Sequence, residues 1–599
     1  MNGARRLTIP RLAALDSSGW SLLALALVVG AGAGLGAVAF RYMIKGFTWL
    51  FTGHGQLGPN PHPSSPWLPG LGMACVLIAP VLGGLIYGPV VARFAPETRG
   101  HGVPEVMLAV ARKGGRIRPR VSVIKALASA LCIGSGGSVG REGPIVQIGS
   151  ALGSTVGQLA RLNERRLRLL VACGAAGGIA ATFNAPIAGV FFALEVILRD
   201  FQTESFGVVV LSSVTASVIG RVAFGSAAFL RLPQFQVHSG GEYLLYALLG
   251  VLGAAAGVAF IRVLYGGEDL ADRIWRGPAW LRPAAGGIVL GLLLLALPQM
   301  YGVGYPVLDA AVAGHYAVGF LLLLLAGKIV ATTLTLAIGG SGGVFAPSLF
   351  MGAMLGSSFG QAFQSLIPGW VTAPGAYGLV GMGAVFAAAA RAPITAVIIV
   401  FELTGDYAII LPLMLAVVVA TGLSLLVTGD TIYTLKLRRR GVDLDHRPSS
   451  GPMQLVTVRE AMRPIPGSVP PDMPLAQLAD RFSSGDESAL PVVDESGRLI
   501  GVVSADDLEP ALTDVGGPDT AGDLARPVPE LRADSALEHA ARLLGDSEEA
   551  GLPVLRPEGR EVAGWITHRD VLRAYLAGRR RQPPVRTRPP ARQRSPAGR

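Results

Sequence analysis

Charge is what this chain has least of. Only 15% of its 599 residues are Asp, Glu, Lys or Arg, whereas 51% are apolar and mean hydropathy is +0.50. That balance excludes a water-soluble protein of this size and makes the bilayer the solvent for most of the chain. Cysteine is scarce as well. Cys75, Cys132 and Cys173 lie in apolar segments without paired spacing, which excludes a disulfide framework and a Cys-rich metal site and leaves three packed small hydrophobes. None of the eight histidines has the His-Glu-x-x-His spacing that sets two imidazoles of an intramembrane protease on one zinc ion. A phosphate loop is missing too: "GSGGSVGREG" ends on Arg141 and Glu142, where a P-loop has Lys and Ser/Thr, and a carboxylate there repels phosphate. These absences argue against an enzyme, and no metal or required cofactor is expected.

What is present is a series of apolar runs from "SLLALALVVGAGAGLGAVAF" (21–40) to "LMLAVVVATGLSLLV" (413–427). A crossing helix needs ~20 residues, and roughly ten or more such segments are expected, several interrupted by Gly and Pro. The first run leads straight into the next and reads as a retained helix, not a signal peptide. Arg5, Arg6 and Arg11 precede the first helix and "KLRRRG" (436–441) follows the last, so both chain ends are expected in the cytoplasm of a multi-pass cell-membrane protein. The net charge of +11 therefore implies no nucleic acid. The Pro- and Arg-rich end of the chain, 578–599, reads as a disordered basic tail.

The membrane part is duplicated. Pro144 and Pro347 are offset by 203 (347 − 144) and align "IGSALGST" (148–155) with "MGAMLGSS" (351–358), each after a Gly/Ser-rich break. Pro186 and Pro393, offset by 207 (393 − 186), align "APIAGVFFALE" with "APITAVIIVFE", so that Glu195 and Glu402 coincide. Duplicated membrane units with broken helices are the signature of transporters whose substrate site lies between the repeats. In "GHGVPEV" (100–106), "GREGP" (140–144) and "GVFAP" (343–347), glycines stop one segment and a proline suits the first turn of the next. Each break is expected to open a helix within the membrane, leaving unpaired N–H groups and the positive end of a helix dipole. Several such starts converging make an anion site without a full positive charge, which lets the anion leave again. Glycines for close helix packing account for "GAAGG" (174–178), but not for three Gly-Pro breaks with polar neighbours.

These breaks, in this order and followed by the tyrosine of "DTIYTLK" (430–436), resemble the CLC family of chloride channels and proton-coupled chloride transporters. The resemblance implies a polytopic α-helical fold of two inverted repeats, a homodimer with an anion path in each subunit, and chloride as the transported ligand. It implies that Glu142 is the gating glutamate, whose carboxylate occupies an anion site and leaves when protonated, a role that suits a carboxylate among helix N-termini. By the same resemblance His101 and Gly102 of the first break, the Val344 and Phe345 amides, and Tyr433 bind the anion. Lys125 and Arg141 tune the electrostatics of the pathway. The chain departs from the family at two positions. His101 stands where most chloride-selective members have serine, and an imidazole still donates to an anion while adding pH sensitivity. Proton-coupled members close the "AGVFFALE" helix with two glutamates, the second the internal proton acceptor; here the pair is Glu195 and Val196. Valine carries no proton, so channel-like conduction with weak or no proton coupling is expected; a proton-coupled Cl−/H+ antiporter is the alternative.

After "KLRRRGVDLDHRPSSGP" (436–452) the composition turns acidic and mixed. "LPVVDESGRLIGVVSADDL" (490–508) is echoed by "LPVLRPEGREVAGWITHRDVL" (552–572), which indicates two small α/β units that bury together what one cannot. They resemble a cytoplasmic tandem CBS pair. That resemblance implies Ser504 with Asp507, and Thr567 with Asp570, as ligands of an adenine nucleotide such as ATP, ADP or AMP; the same spacing also makes ordinary helix N-caps. CBS-regulated divalent-cation channels are a further alternative, but they need acidic pore residues. The expected organisation is an N-terminal segment 1–20, a membrane domain 21–435 with repeats near 70–230 and 280–435, a linker 436–454, CBS units 455–511 and 518–577, and the tail.

Overall fold

Long runs of Leu, Ala, Val and Gly fold as helices because in hydrocarbon every backbone N–H and C=O must be satisfied within the segment. The computed structural model describes residues 19–61, 63–64, 69–225, 240–369, 371, 373–443, 456–485, 487–513, 517–547, 550–556 and 558–581. Arg5, Arg6, Arg11, most of the expected linker and the tail from 582 lie outside the described residues. Two units divide at Leu444.

Among the described residues the membrane unit shows two series of eight helices in matching order. The first is Gly19–Thr52, Cys75–Phe94, Val103–Arg112, Arg120–Gly134, Glu142–Leu159, Glu164–Phe183, Pro186–Phe192 continuing as the π-helical turn Ala193–Leu198, and Thr203–Phe224. The second is Glu242–Ile274, Arg282–Ala296, Tyr305–Val312, Val318–Ala337, Phe345–Leu366, Pro374–Ala390, Pro393–Thr404 and Ile410–Val427. Each repeat thus begins one helix earlier than the boundaries near 70 and 280. The connection after the leading helix runs over 53–74 in one repeat and 275–281 in the other, which shifts the alignment and hides the equivalence. Seven helices among the described residues are long and apolar enough to cross a membrane, and four further apolar helices are shorter. That is fewer full spans than the ten or more expected, because the breaks cut apolar sequence into half-length pieces.

Contacts between the repeats come in reciprocal pairs. Glu195 accepts from the Ile394 and Thr395 amides at 3.1 and 2.9 Å, and Glu402 accepts from the Ile187 and Ala188 amides at 3.0 and 2.7 Å. Each carboxylate caps a helix N-terminus of the opposite repeat. Exchange of roles is the mark of a two-fold relation. The equivalent residues Gly140 and Gly343 pair antiparallel, so the helices that follow them leave a common centre in opposite senses, as in inverted repeats. Within each repeat the helices close on glycine. A Cβ on Gly149 would lie 2.0 Å from the Gly174 carbonyl oxygen, and one on Gly352 would lie 2.2 Å from that of Gly381.

The closing helix Thr434–Arg439 belongs to the membrane unit, not to a linker. Lys436 pairs with Glu268 at 3.3 Å, Arg438 with Asp430 at 2.8 Å, Arg439 with Asp269 at 2.7 Å, and Arg440 with Glu105.

In the second unit, Ala489–Val493 pairs antiparallel with Leu499–Ser504, and Gly551–Leu555 lies between a parallel Leu531–Arg532 and an antiparallel Val562–Thr567. The sequence boundaries are crossed here. Val458 packs with Leu531, Leu537 and Ile566 in the core of the second repeat, whereas Ala521 packs with Leu478 and Val503 in the core of the first. Trp565, with Ala489 and Val502, seals the seam. Exchanged segments bury an apolar face that each small unit lacks the area to cover alone.

Close helix contact is therefore a constraint at Gly149 and not at Gly32, beside which a Cβ would meet nothing within 4 Å. Gly149→Ala is expected to cost about 1–3 kcal/mol or more through overpacking, read as an earlier thermal transition of the detergent-solubilised protein. Gly32→Ala should leave that transition in place or raise it, since alanine favours the helix.

Candidate functional site

The three breaks meet. Gly140 donates to the Gly343 carbonyl at 2.8 Å and receives from the Gly343 amide at 2.6 Å, while Gly100 donates to Gly340 at 3.2 Å and accepts from Gly342 at 3.4 Å. The junction is built on glycine because side chains do not fit. A Cβ on Gly143 would stand 2.0 Å from the His101 carbonyl oxygen, and Gly102, at φ +82°, would place one 2.8 Å from the Gly143 carbonyl oxygen. From this junction start the helices Val103–Arg112, Glu142–Leu159 and Phe345–Leu366, so their positive ends share one buried place.

The carboxylate of Glu142, 1% exposed, turns into that place. One oxygen accepts from the Tyr305 hydroxyl at 2.5 Å, and the other accepts from the Ala346 amide, in the first turn of Phe345–Leu366, at 3.3 Å. A Cβ on Gly140 would be 2.0 Å from that second oxygen, so the carboxylate lies directly over the glycine. Arg141 points elsewhere, donating to the Thr182 carbonyl at 3.2 Å with its guanidinium 4.9 Å from the Tyr305 ring.

Val344 caps and Phe345 opens their helix; among the described residues no group accepts from either amide. Phe345 is fixed by Phe386, Phe183 and Phe192, with ring centroids at 4.3, 5.6 and 6.2 Å. His101 and Tyr433, each 1% exposed, stand together with ring centroids 6.4 Å apart, and Tyr265 lies 6.4 Å from His101 on another side. Neither ring nitrogen of His101 has a hydrogen-bond partner among the described residues.

Lys125 is fully buried and ligates backbone, donating to the Thr98 and Gly100 carbonyls at 2.8 Å each. It braces the turn that presents His101. Lys328 stands 203 positions later and does the same in the second repeat, donating to Gly302 and Val303 at 3.2 and 3.1 Å and to Ser138 at 2.9 Å. That turn belongs to a fourth break, "YGVGYPVL" (301–308), which opens Tyr305–Val312 and delivers the Tyr305 hydroxyl to Glu142. The breaks at 100 and 302 share Gly-x-Gly-x-Pro, so the repeat offset was a sufficient signal for Tyr305 and Lys328. Their roles were not legible without it.

Glu195 and Val196 lie away from these contacts. Glu195 also accepts from the Thr395 hydroxyl at 2.6 Å, so both its oxygens serve the cap of the Pro393–Thr404 helix; Val196 is buried. In the CBS unit, Thr567 and Asp570 make a capping pair, with the hydroxyl donating to the carboxylate at 2.7 Å. Ser504 accepts from the Asp506 amide at 3.4 Å, and Asp507 pairs with Arg526 at 2.5 Å. Both pairs sit at the first turn of the helix after the strand, at equivalent places in the two units.

Known proteins resemble this chain in both of its units. Residues 83–425 match the family described as voltage gated chloride channel, and residues 458–514 and 521–577 each match the CBS domain. The chain is 34% identical over 436 residues, 72% of its length and 100% of the relative's, to a Ralstonia nicotianae protein named as a ClcB-like chloride channel. It is 35% identical over 438 residues, 71% of its length and 90% of the relative's, to a Vibrio parahaemolyticus protein named H(+)/Cl(−) exchange transporter ClcA. Among solved structures it is similar to a slow cyanobacterial Cl−/H+ antiporter, with TM-score 0.63 and 27% identity over 71% of this chain and 99% of the other. A eukaryotic CLC transporter shares the fold over 92% of this chain and 97% of its own, with TM-score 0.58 and 22% identity.

The Tyr305 hydroxyl holds the Glu142 carboxylate over the junction. A hydrogen bond to a charged group contributes about 1.5–3 kcal/mol, so if chloride shares the junction with this carboxylate, Tyr305→Phe should tighten chloride binding by roughly tenfold or more in calorimetric titration. Unchanged affinity would show that the carboxylate is not held there by Tyr305.

Proposed function

Because the chain belongs to the voltage-gated chloride channel family of anion transporters, we propose that it exchanges chloride for protons, with Glu142 as the group through which the two movements are linked. The observation that carries this reading is the place of the Glu142 carboxylate, on the Ala346 amide and beside the unaccepted amides of Val344 and Phe345. An anion needs those same donors. Protonation removes the negative charge that competes for them, so anion entry and proton uptake become one event.

Exchange displaces the channel-like reading drawn from Val196. The relatives at 35% identity include proteins named as exchangers, and a solved structure similar to the chain is described as an antiporter. The loss of one titratable side chain at position 196 removes one proton stop, not the coupling site itself. Chloride is the proposed anion, a homodimer the proposed assembly, and the cytoplasm the proposed side of both termini and of the CBS pair. A cation pathway has no support in a junction built from helix N-termini.

Chloride and proton fluxes measured together in liposomes test this. A chloride gradient should drive protons uphill through the wild-type protein. Glu142→Gln, which copies the protonated carboxyl and cannot ionise, should pass chloride with no proton movement. Chloride flux without protons through the wild type would make the protein a passive conductor.

For the CBS pair we propose an adenine nucleotide as ligand, supported by the Ser/Thr-x-x-Asp pattern at equivalent places in both units. ATP titrated into the full chain should bind, and binding should fall by roughly tenfold in Asp570→Ala if its carboxylate meets the ribose. Absence of heat in the wild type would leave the pattern as helix capping.

A further inference from the structure

A proton that reaches Glu142 from the inner side of the pathway needs a titratable group to stop on, since a charge crosses a low-dielectric region only at high cost. Six acids of the membrane unit are engaged. Glu195 and Glu402 cap helices through both oxygens, Glu105 is paired with Arg440, Glu268 with Lys436, Asp269 with Arg439 and Asp430 with Arg438. His101 differs from all of these. It is buried, both ring nitrogens lack partners among the described residues, and its carbonyl touches Gly143, the residue after the gate. Tyr433 and Tyr265 flank the ring.

We propose that His101 carries the transported proton between the inner mouth of the pathway and Glu142, an inference that rests on the exchange reading above. In the step, an imidazole nitrogen lone pair takes a proton from the inner side and the ring becomes an imidazolium. The imidazolium then gives that proton, directly or through pore water, to the Glu142 carboxylate, which becomes a neutral carboxyl and leaves the anion donors. The ring returns to neutral.

The surroundings of His101 make this proton conditional on the anion. Lys125 from the Arg120–Gly134 helix, and Lys436 and Arg440 from the closing helix and its end, repel a positive ring. Glu105 on the helix that follows His101 and Glu268 near Tyr265 are spent on Arg440 and Lys436, and Glu142 is held by Tyr305 and Ala346. A chloride ion beside Tyr433 adds the negative charge that an imidazolium needs. Proton and anion thereby favour each other at the inner half of the path and exclude each other at Glu142.

The test is the proton-to-chloride flux ratio of the wild type, His101→Ser and His101→Gln in liposomes. Serine and glutamine keep a hydrogen-bond donor for the anion but carry no proton. Whatever chloride flux the changed anion donor allows, the proton-to-chloride ratio of both variants should fall by roughly tenfold or more. A ratio equal to the wild type's in either variant overturns the proposal, and so does loss of chloride flux in both with the ratio kept in what remains, which would make His101 an anion ligand alone. A wild type that moves no protons would instead sink the exchange reading, so the two failures are distinct.

Discussion

Everything in the membrane unit depends on backbone N–H groups that start helices where water is absent. In hydrocarbon such groups cost several kcal/mol each if unpaired. Here they gather at one junction, and the protein occupies part of it with its own carboxylate, that of Glu142. A site of partial charges holds an anion firmly enough to strip its hydration and loosely enough to release it. On the proposed reading the same donors serve as binding site for the cargo and as seat for the gate.

Keeping that junction in register takes the whole fold. The breaks are tied to each other by backbone bridges, and two buried lysines, Lys125 and Lys328, tie the turns before them to neighbouring carbonyls and to Ser138. Both ammonium groups face backbone oxygens, which satisfies a charge that burial would otherwise penalise. The reciprocal caps of Glu195 and Glu402 do the same for the helices that follow. The two-fold relation halves the problem: one solution to a buried helix start is used twice, and the differences between the copies, His101 against Val303 and Glu142 against Phe345, are where the chemistry sits.

Much of this was legible in the sequence because the breaks combine glycine, proline and polar residues inside apolar runs, and because the membrane repeats align at offsets of 203 and 207. These offsets exposed the second repeat and the coincidence of Glu195 with Glu402, and a separate, shorter repeat exposed the likeness of the two CBS units. Three features were not legible. The fourth break, "YGVGYPVL", is marked only by the Gly-x-Gly-x-Pro spacing it shares with the first, and within it Tyr305 carries no sign of its own. Glu195 is a cap only through residues of the opposite repeat, about as far away in sequence as the repeat length, and pattern within one helix does not reveal that. The exchange of Val458 and Ala521 between the CBS cores is likewise a matter of which apolar face finds cover, not of local sequence.

The central claim is that the Glu142 carboxylate and the transported anion compete for the same helix N-termini. Crystals of Glu142→Ala grown in bromide test it most directly, because bromide scatters anomalously. The account predicts anomalous density within hydrogen-bond reach of the Phe345 and Ala346 amides, where the carboxylate lies in the native chain. An empty junction in that variant, with bromide bound only at other places, would contradict it.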